Sequence, residues 1–190
     1  MSDPVSALIL AGGKATRFGG IAKHELVIDG EMIFARQVRV LAPRVTEILV
    51  SSPRDVPGFR TVRDTADGIG PLAGLAAGLA ACTTPWLLVV AGDMPYITGV
   101  LIDQLIARAH ASADPHAPDS VDAVGIRIDG LPEPLLCVLH RRVLSIVERR
   151  IAQGDYKASR LLTDDRVRVD WIEDVDRAAL RNINAPADLG

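Results

Sequence analysis

Two short runs of apolar residues, each ending in glycine, most constrain how this chain can fold. The first, VSALILA at 5–11, leads into Gly12 and Gly13, and the second, WLLVVAG at 86–92, is the clearest buried strand of the sequence. An unbroken apolar run of this length is typical of a strand that is buried on both faces of a parallel sheet. The two runs therefore predict the centre of a sheet that helices cover on both sides.

Strand-like and helix-like segments alternate along the rest of the chain. Further strands are predicted at 25–29, 46–52, 121–128, 134–140 and 166–172, and helices at 32–42, 71–82, 98–110, 142–151 and 183–189. This alternation predicts an α/β fold: a three-layer sandwich with a mostly parallel, twisted sheet and helices on both faces. With 190 residues, we expect a single domain that spans 1–190.

Three helices carry local signals that the structure can test. In the first, Phe34, Val38 and Leu41 form an apolar stripe. In the second, Gly74 and Gly78 share one face and would allow close backbone packing. We expect Thr98 to cap the third helix.

Composition excludes several classes of protein. The net charge of −3 argues against nucleic acid or an anionic membrane as the main partner. Because the sequence shows no basic leader and no long apolar span, we expect a cytoplasmic protein without a membrane partner. Cys82 and Cys137 are interpreted as buried thiols, and the four histidines lack the spacing of metal ligands.

The end of the first strand is rich in glycine and positive charge. LAGGKATRFGGIAK, residues 10–23, holds four glycines together with Lys14, Arg17 and Lys23. Glycines let backbone N–H groups approach a phosphate, and cations add charge. The stretch matches neither the Walker A motif nor the G-x-G-x-x-G fingerprint. A phosphate-binding loop is favoured over the alternative, a flexible surface loop with solvated cations.

Two other strand ends carry residues of interest. Asp93 follows the second apolar run, where a carboxylate suits Mg²⁺, which prefers one or two carboxylates together with substrate phosphates. The alternative is an Asp that caps a turn. The stretch RDTADGIGPLAG, 63–74, contains Asp64 and opens a helix, whose N-terminus could offer N–H groups to a ligand.

These three stretches, in this order and spacing, resemble the nucleotidyltransferases, and most closely the molybdenum cofactor guanylyltransferase family. The likeness continues through 130–162 and through LRNINAPADL at 180–189, so that it covers nearly the whole chain. It implies a Rossmann-like nucleotidyltransferase fold. It also implies a nucleotide-binding half at about 1–110 and an acceptor-binding half at about 111–190.

The resemblance also implies roles for individual residues. On the nucleotide side it indicates Leu10, Ala11, Gly12, Gly13, Lys23, Ser51, Asp64, Gly70 and Asp93. Lys23 and Arg17 would stabilise the departing pyrophosphate, and Asp93 would act with them as the Mg²⁺ ligand. Asn182 and Asn184 would lie near the metal and the acceptor phosphate.

The implied reaction transfers GMP from GTP to the terminal phosphate of molybdopterin and releases pyrophosphate, with Mg²⁺ as cofactor. We expect a monomer that makes transient contacts with proteins of the cofactor pathway. Ala22 and Ser51 stand where many relatives have Asp and Asn. A transferase using CTP or another nucleotide, with a pterin, a sugar phosphate or another small phosphate, therefore stays open. So does a non-catalytic nucleotide-binding protein on the same fold.

Overall fold

A seven-stranded sheet forms the middle layer of the protein. The structure, a computed structural model, describes residues 3–12, 25–63, 70–112 and 120–183. The strands of this sheet are β1 Val5–Leu10, β4 Glu47–Ser51, β5 Arg60–Val62, β6 Trp86–Ala91, β7 Ala123–Ile128, β8 Leu131–His140 and β9 Val169–Ile172. They follow the order β5-β4-β1-β6-β8-β7-β9 across it.

Strand direction confirms the prediction of a mostly parallel sheet. β1 pairs in parallel with β4 and β6, β4 with β5, and β7 with β9. β8 runs antiparallel to both of its neighbours, β6 and β7. The two predicted central strands, β1 and β6, lie side by side, and every residue of both is buried.

Among the described residues, four α-helices cover the two faces of the sheet and confirm the three-layer arrangement. They are α1 Ile33–Leu41, α2 Pro71–Ala81, α3 Gly99–Ala111 and α4 Leu144–Ala152. α1 and α3 share one apolar cluster with the sheet, and α2 and α4 share the other. Short 3₁₀ helices lie at Arg141–Val143, Ala158–Arg160 and Arg177–Leu180.

The structure confirms the close packing predicted at the α2 glycines and the cap predicted for α3. A Cβ atom on Gly74 would lie 2.4 Å from Ser51 Oγ, and one on Gly78 would lie 2.4 Å from Leu8 Cδ2. Glycine therefore lets α2 approach β1 and β4 more closely than any other residue would. The Thr98 side chain accepts a hydrogen bond from Leu101 N, 3.3 Å away, and caps α3.

Some predicted elements differ in the structure. The segment predicted as one strand at 25–29 contributes only β2, Val27–Ile28, which pairs with β3, Glu31–Met32, in a separate two-stranded hairpin. β5 was not predicted, because its three residues are too short to show a pattern. The helix predicted at 183–189 lies outside the described residues except for Ile183.

The buried face of α1 also differs from the predicted stripe. Ile33, Gln37 and Leu41 are fully buried, whereas Phe34 and Val38 are only partly buried. A glutamine thus lies at the centre of the face that the helix turns towards the core.

Candidate functional site

The carboxyl ends of β1, β4 and β6 meet at one edge of the sheet. Beyond the end of β1, Ala11 N donates a hydrogen bond to Ser51 O at 2.9 Å. On the β6 side of β1, Gly92 N donates a hydrogen bond to Leu10 O at 3.0 Å. In open α/β sheets, ligands bind at this edge. Gly12, the next residue after Ala11, is exposed there.

Helix α2 approaches this edge at its N-terminus. Gly70, the N-cap residue of α2, is exposed and has a φ of +76°, a conformation that favours glycine. One turn further on, Gly74 packs against Ser51, whose residue exposure is only 3%. Ser51 therefore faces the helix with its side chain and supports Ala11 through its carbonyl group.

The C-terminal part of the chain reaches the turn that carries Asp93. Ile183 N donates a hydrogen bond to Asp93 O at 2.9 Å. The Ile183 side chain is fully buried in a small cluster with Leu26, Ile28 and Ile33. The cluster anchors Asn182 next to a residue 89 positions earlier in the sequence.

Asn182 contributes an unusual polar atom. Its Oδ1 is buried and lacks a hydrogen-bond partner among the described residues. A buried acceptor of this kind costs stability unless a ligand or an ion satisfies it. The unsatisfied oxygen therefore makes Asn182 a candidate for binding a further group at this edge.

Glu133 is a residue of this edge that the sequence reasoning missed. The antiparallel β6–β8 pairing ends at Val90 and Leu136, so the chain segments that carry Asp93 and Glu133 both leave the ladder at this end. The charge of Asp93 acts on the Glu133 carboxyl group, which shows that the two residues are near each other. The β7–β8 pairing is irregular here, because its register shifts between Gly125 and Ile126. Such bulges often redirect side chains beside active sites.

The environment of Glu133 changes its acidity. Burial raises the pKa of its carboxyl group and the charge of Asp93 raises it further, while a hydrogen bond from the Leu135 backbone opposes the change. A glutamate between two prolines, directly before the apolar run of β8, was the only sequence signal for it.

Asp93 and Asn182 offer oxygen donors of the type that magnesium accepts. Within the described parts of the chain, no group of three or more His, Cys, Asp or Glu side chains could hold a metal by itself. Asp93 and the orphaned Asn182 oxygen are hard oxygen donors. Mg²⁺ is often bound by one or two carboxylates together with substrate phosphates.

Several predicted site residues cannot be placed. Gly13, Arg17, Lys23, Asp64 and Asn184 lie outside the described residues. Leu10, Ala11, Gly12, Ser51, Gly70, Asp93 and Asn182 are all described, and they lie at or beside the carboxyl edge.

The two cysteines are buried, as predicted. Burial raises the pKa of the Cys137 thiol to about 12, so that this group stays protonated and is a poor nucleophile at neutral pH.

No helix in the described parts of the chain could span a membrane. The helices there are too short or too polar to cross a bilayer.

The fold and this edge define a class of protein before any relative is considered. A mostly parallel sheet with helices on both faces, a glycine-rich segment after β1 and a carboxylate after β6 are typical of α/β proteins that bind nucleotides. Residues 7–169 match the family described as the MobA-like NTP transferase domain. The chain belongs to this family, and it is a nucleotidyltransferase.

Named relatives agree with this assignment. The chain is 33% identical over 189 residues to a molybdenum cofactor guanylyltransferase of Pseudomonas putida strain GB-1, covering 96% of this chain and 94% of the relative. It is 33% identical over 168 residues to the protein of that name from Burkholderia ambifaria strain MC40-6, with coverages of 82% and 80%.

Solved structures share the fold at lower identity. Molybdopterin-guanine dinucleotide biosynthesis protein A from Archaeoglobus fulgidus is 24% identical, with a TM-score of 0.78 and coverages of 97% and 94%. 2-C-methyl-D-erythritol 4-phosphate cytidylyltransferase from Thermus thermophilus is 16% identical, with a TM-score of 0.71 and coverages of 100% and 96%. Since proteins named for different nucleotides share this fold, the fold alone does not select the base.

Proposed function

We propose that this protein transfers GMP from GTP to the terminal phosphate of a molybdopterin-type acceptor and releases pyrophosphate. The observation that carries the proposal is the meeting of Leu10–Gly12, Asp93 and Asn182 at one edge of the sheet. Guanylyltransferase is also the name of relatives that match almost the full length of the chain.

Backbone atoms after β1 would contact the base and sugar of the nucleotide. Leu10 and Ala11 are held between β4 and β6 by the hydrogen bonds to Ser51 O and from Gly92 N. Such fixed backbone forms a preorganised binding surface. Gly13, Arg17 and Lys23 would hold the triphosphate, and Asp64 and Gly70 would lie near the guanine.

The reaction forms one P–O bond and breaks another. An oxygen of the acceptor phosphate attacks the α-phosphorus of GTP, and the bond to the β-phosphate breaks, so that pyrophosphate leaves with the bonding electrons. The acceptor phosphate is already an anion, so no basic residue is needed to activate it. Positioning and charge stabilisation would therefore supply most of the catalysis.

Asp93 and Asn182 would hold Mg²⁺ together with phosphate oxygens of the substrates. The bound ion would neutralise charge on the α-phosphate and on the acceptor phosphate. Lys23 and Arg17 would stabilise the negative charge that grows on pyrophosphate. Asn184 would assist Asn182 on the acceptor side.

The residue at position 51 bears on the choice of base. Ser51 is nearly inaccessible and packs against α2, so its hydroxyl group does not replace the amide that many relatives have there. This difference at Ser51 makes a cytidylyltransferase or another transferase acting on a phosphate acceptor the second candidate. The presence of both Lys23 and Asp93 speaks against a non-catalytic protein.

Pyrophosphate release decides between these functions. The protein is incubated with Mg²⁺, molybdopterin and each of GTP, CTP, ATP and UTP. We expect release with GTP to exceed that with ATP by at least about tenfold, or roughly 1.4 kcal/mol, because the two purines present opposite hydrogen-bond patterns at position six. Equal rates with GTP and ATP would contradict the guanylyl assignment.

Binding without turnover identifies the third possibility. A nucleotide present at 100 times its dissociation constant stabilises the folded protein by roughly 2.7 kcal/mol, which a thermal-shift assay detects. A shift with GTP but no acceptor-dependent pyrophosphate would indicate a binding protein. Omission of molybdopterin is the control for simple hydrolysis.

A further inference from the structure

A buried side chain, that of Gln37, connects helix α1 to the turn that carries Asp93. Gln37 is 0% exposed and lies on the core-facing side of α1, one turn after Ile33 and one turn before Leu41. Its Nε2 donates one hydrogen bond to Ala91 O at 2.7 Å and another to Met94 O at 3.1 Å. These two carbonyl groups lie on either side of Gly92 and Asp93 in the sequence.

The amide group of glutamine suits this arrangement. A side-chain amide has two N–H donors in one plane and can bind two carbonyl oxygens at once. Because both partners are acceptors, the nitrogen must face the turn, which settles the orientation of the amide. Ala91 O also accepts a hydrogen bond from Met94 N at 3.3 Å, so that Gln37 reinforces a turn that already closes on itself.

The remaining atom of the amide makes this side chain costly to bury. Gln37 Oε1 is buried, and the described residues offer it no hydrogen-bond partner. An apolar side chain would avoid this cost, and the flanking buried residues of the same helix face, Ile33 and Leu41, are apolar. The favourable contacts of this amide are therefore those of its N–H groups, and both reach the main chain of the Asp93 turn.

The turn that carries Asp93 is held by hydrogen bonds from two sides. Ile183 N binds Asp93 O, while Gln37 binds the carbonyl groups of Ala91 and Met94. The C-terminal segment and α1 meet again in the cluster of Leu26, Ile28, Ile33 and Ile183, against which Tyr96 packs. The Asp93 backbone is thus held between two distant parts of the chain.

We propose that Gln37 is a positioning residue that fixes the Asp93 turn in the geometry needed to bind the substrate-associated metal. This inference deepens the proposed function and rests on it. Gln37 contacts neither metal nor substrate in this arrangement, because its N–H groups are directed to main-chain oxygens. It acts by limiting the orientations that the Asp93 carboxylate can adopt.

The test uses Gln37→Met, which keeps the length and flexibility of the side chain but removes both N–H donors. The matched control is Thr84→Val, which removes a buried hydroxyl group just before the opposite end of β6, where Thr84 Oγ1 donates to Trp86 O at 2.7 Å. Both substitutions remove buried hydrogen bonds to main-chain carbonyl groups next to the same strand. Only the first affects the Asp93 turn.

Metal binding is measured directly, without turnover. Mn²⁺ replaces Mg²⁺, and its binding to the protein in the presence of GTP is followed through water-proton relaxation. We expect Gln37→Met to raise the dissociation constant for Mn²⁺ by about tenfold or more, as loss of a residue that orients a metal ligand does. Binding of GTP without metal should stay within about twofold, because the β1 end is unchanged.

Turnover supplies the second readout. In Gln37→Met we expect kcat for pyrophosphate release to fall at least about tenfold and the Mg²⁺ requirement to rise. Thr84→Val should leave Mn²⁺ affinity and kcat within about twofold of the unmodified protein, even with a similar fall in melting temperature. If Gln37 acted only in folding, the two variants would not differ in this way.

Three results would overturn the inference. They are unchanged Mn²⁺ affinity and kcat in a folded Gln37→Met protein, equal losses in Thr84→Val, and failure of both Gln37→Met and Gln37→Asn to fold. If the unmodified protein transfers a nucleotide other than GTP, the guanylyl proposal fails separately. The Mn²⁺ measurement then uses that other nucleotide and still decides the role of Gln37.

Discussion

The two ends of the central strands β1 and β6 are built in opposite ways. At the amino end, Ser6 N donates to Thr84 Oγ1 at 2.9 Å, and Ser6 Oγ donates to Glu47 Oε1 at 3.0 Å. The buried hydroxyl groups there satisfy one another and the neighbouring main chain. At the carboxyl end, Gln37 Oε1 and Asn182 Oδ1 are buried without partners among the described residues.

This difference separates stability from function within one pair of strands. Buried polar groups that are fully bonded stabilise a fold, and those left unsatisfied cost free energy. Proteins tolerate such costs mainly at sites that bind ligands. The amino end therefore serves the fold. At the carboxyl end, the proposed function assigns the unsatisfied Asn182 oxygen to a bound ion, and the amide N–H groups of Gln37 hold the Asp93 turn.

The largest expected effect is the loss of turnover in Asp93→Asn. The substitution keeps the shape of the side chain and removes the negative charge proposed to bind Mg²⁺. We expect kcat to fall by at least about 100-fold, equivalent to roughly 2.7 kcal/mol, with little change in the free energy of unfolding. Steady-state kinetics and urea denaturation measure the two quantities on the same preparation.

Thr84→Val, at the amino end, is the control for Asp93→Asn. It should lower the free energy of unfolding and leave kcat nearly unchanged. Turnover like that of the unmodified protein in Asp93→Asn at low Mg²⁺ would show that Asp93 is not the metal ligand.

An intermediate effect is expected for Gly92→Ala, which tests how tightly the carboxyl end is packed. A Cβ atom at this position would lie 2.7 Å from Leu10 O and 3.3 Å from Ala11 Cα, and neither backbone atom can move without disturbing β1. We expect a loss of about 2 kcal/mol in the free energy of unfolding, within the range for overpacked sites. Chemical denaturation measures it.

The matched control for this substitution is Gly99→Ala. There the added Cβ would meet the guanidinium end of the Arg44 side chain, which can shift without moving the backbone but at the expense of its hydrogen bonds to Asp103 and Val40 O. A similar loss in both variants would indicate a general cost of alanine in place of glycine rather than close packing at the edge.

The smallest expected effect concerns Glu133→Gln and its dependence on pH. Because the pKa of Glu133 is raised in the folded protein, folding favours the protonated form, and ionisation at neutral pH destabilises the fold. The variant should therefore be more stable than the unmodified protein at pH 7, by on the order of 0.5 kcal/mol. The gain should shrink as pH falls and vanish below the ordinary glutamate pKa of about 4.5.

Thermal unfolding between pH 3.5 and 7.5, without metal or nucleotide, follows this gain. A variant that is less stable at pH 7 would mean that a positive partner stabilises the Glu133 carboxylate. In that case the carboxyl end would resemble the amino end, and the contrast between them would weaken.

Local patterns in the sequence were sufficient to predict the layers of the fold and part of the site. The unbroken apolar runs of β1 and β6 required burial on both faces, and Gly74 and Gly78 required a close neighbour. Asp93 could be singled out because a polar residue directly after a buried strand lies at the ligand-binding edge. Each of these signals depends on residues close together in the chain.

Tertiary structure alone decided which distant groups meet at that edge. Gln37 interrupts an apolar helix face, and its burial is explained only by carbonyl groups 54 and 57 positions away. Glu133 reaches the Asp93 end of the sheet because β8 runs antiparallel to β6, and strand direction is not encoded in hydrophobic periodicity. Periodicity reports which side of an element is buried, whereas hydrogen-bond partners across the sheet depend on the pairing of strands remote in sequence.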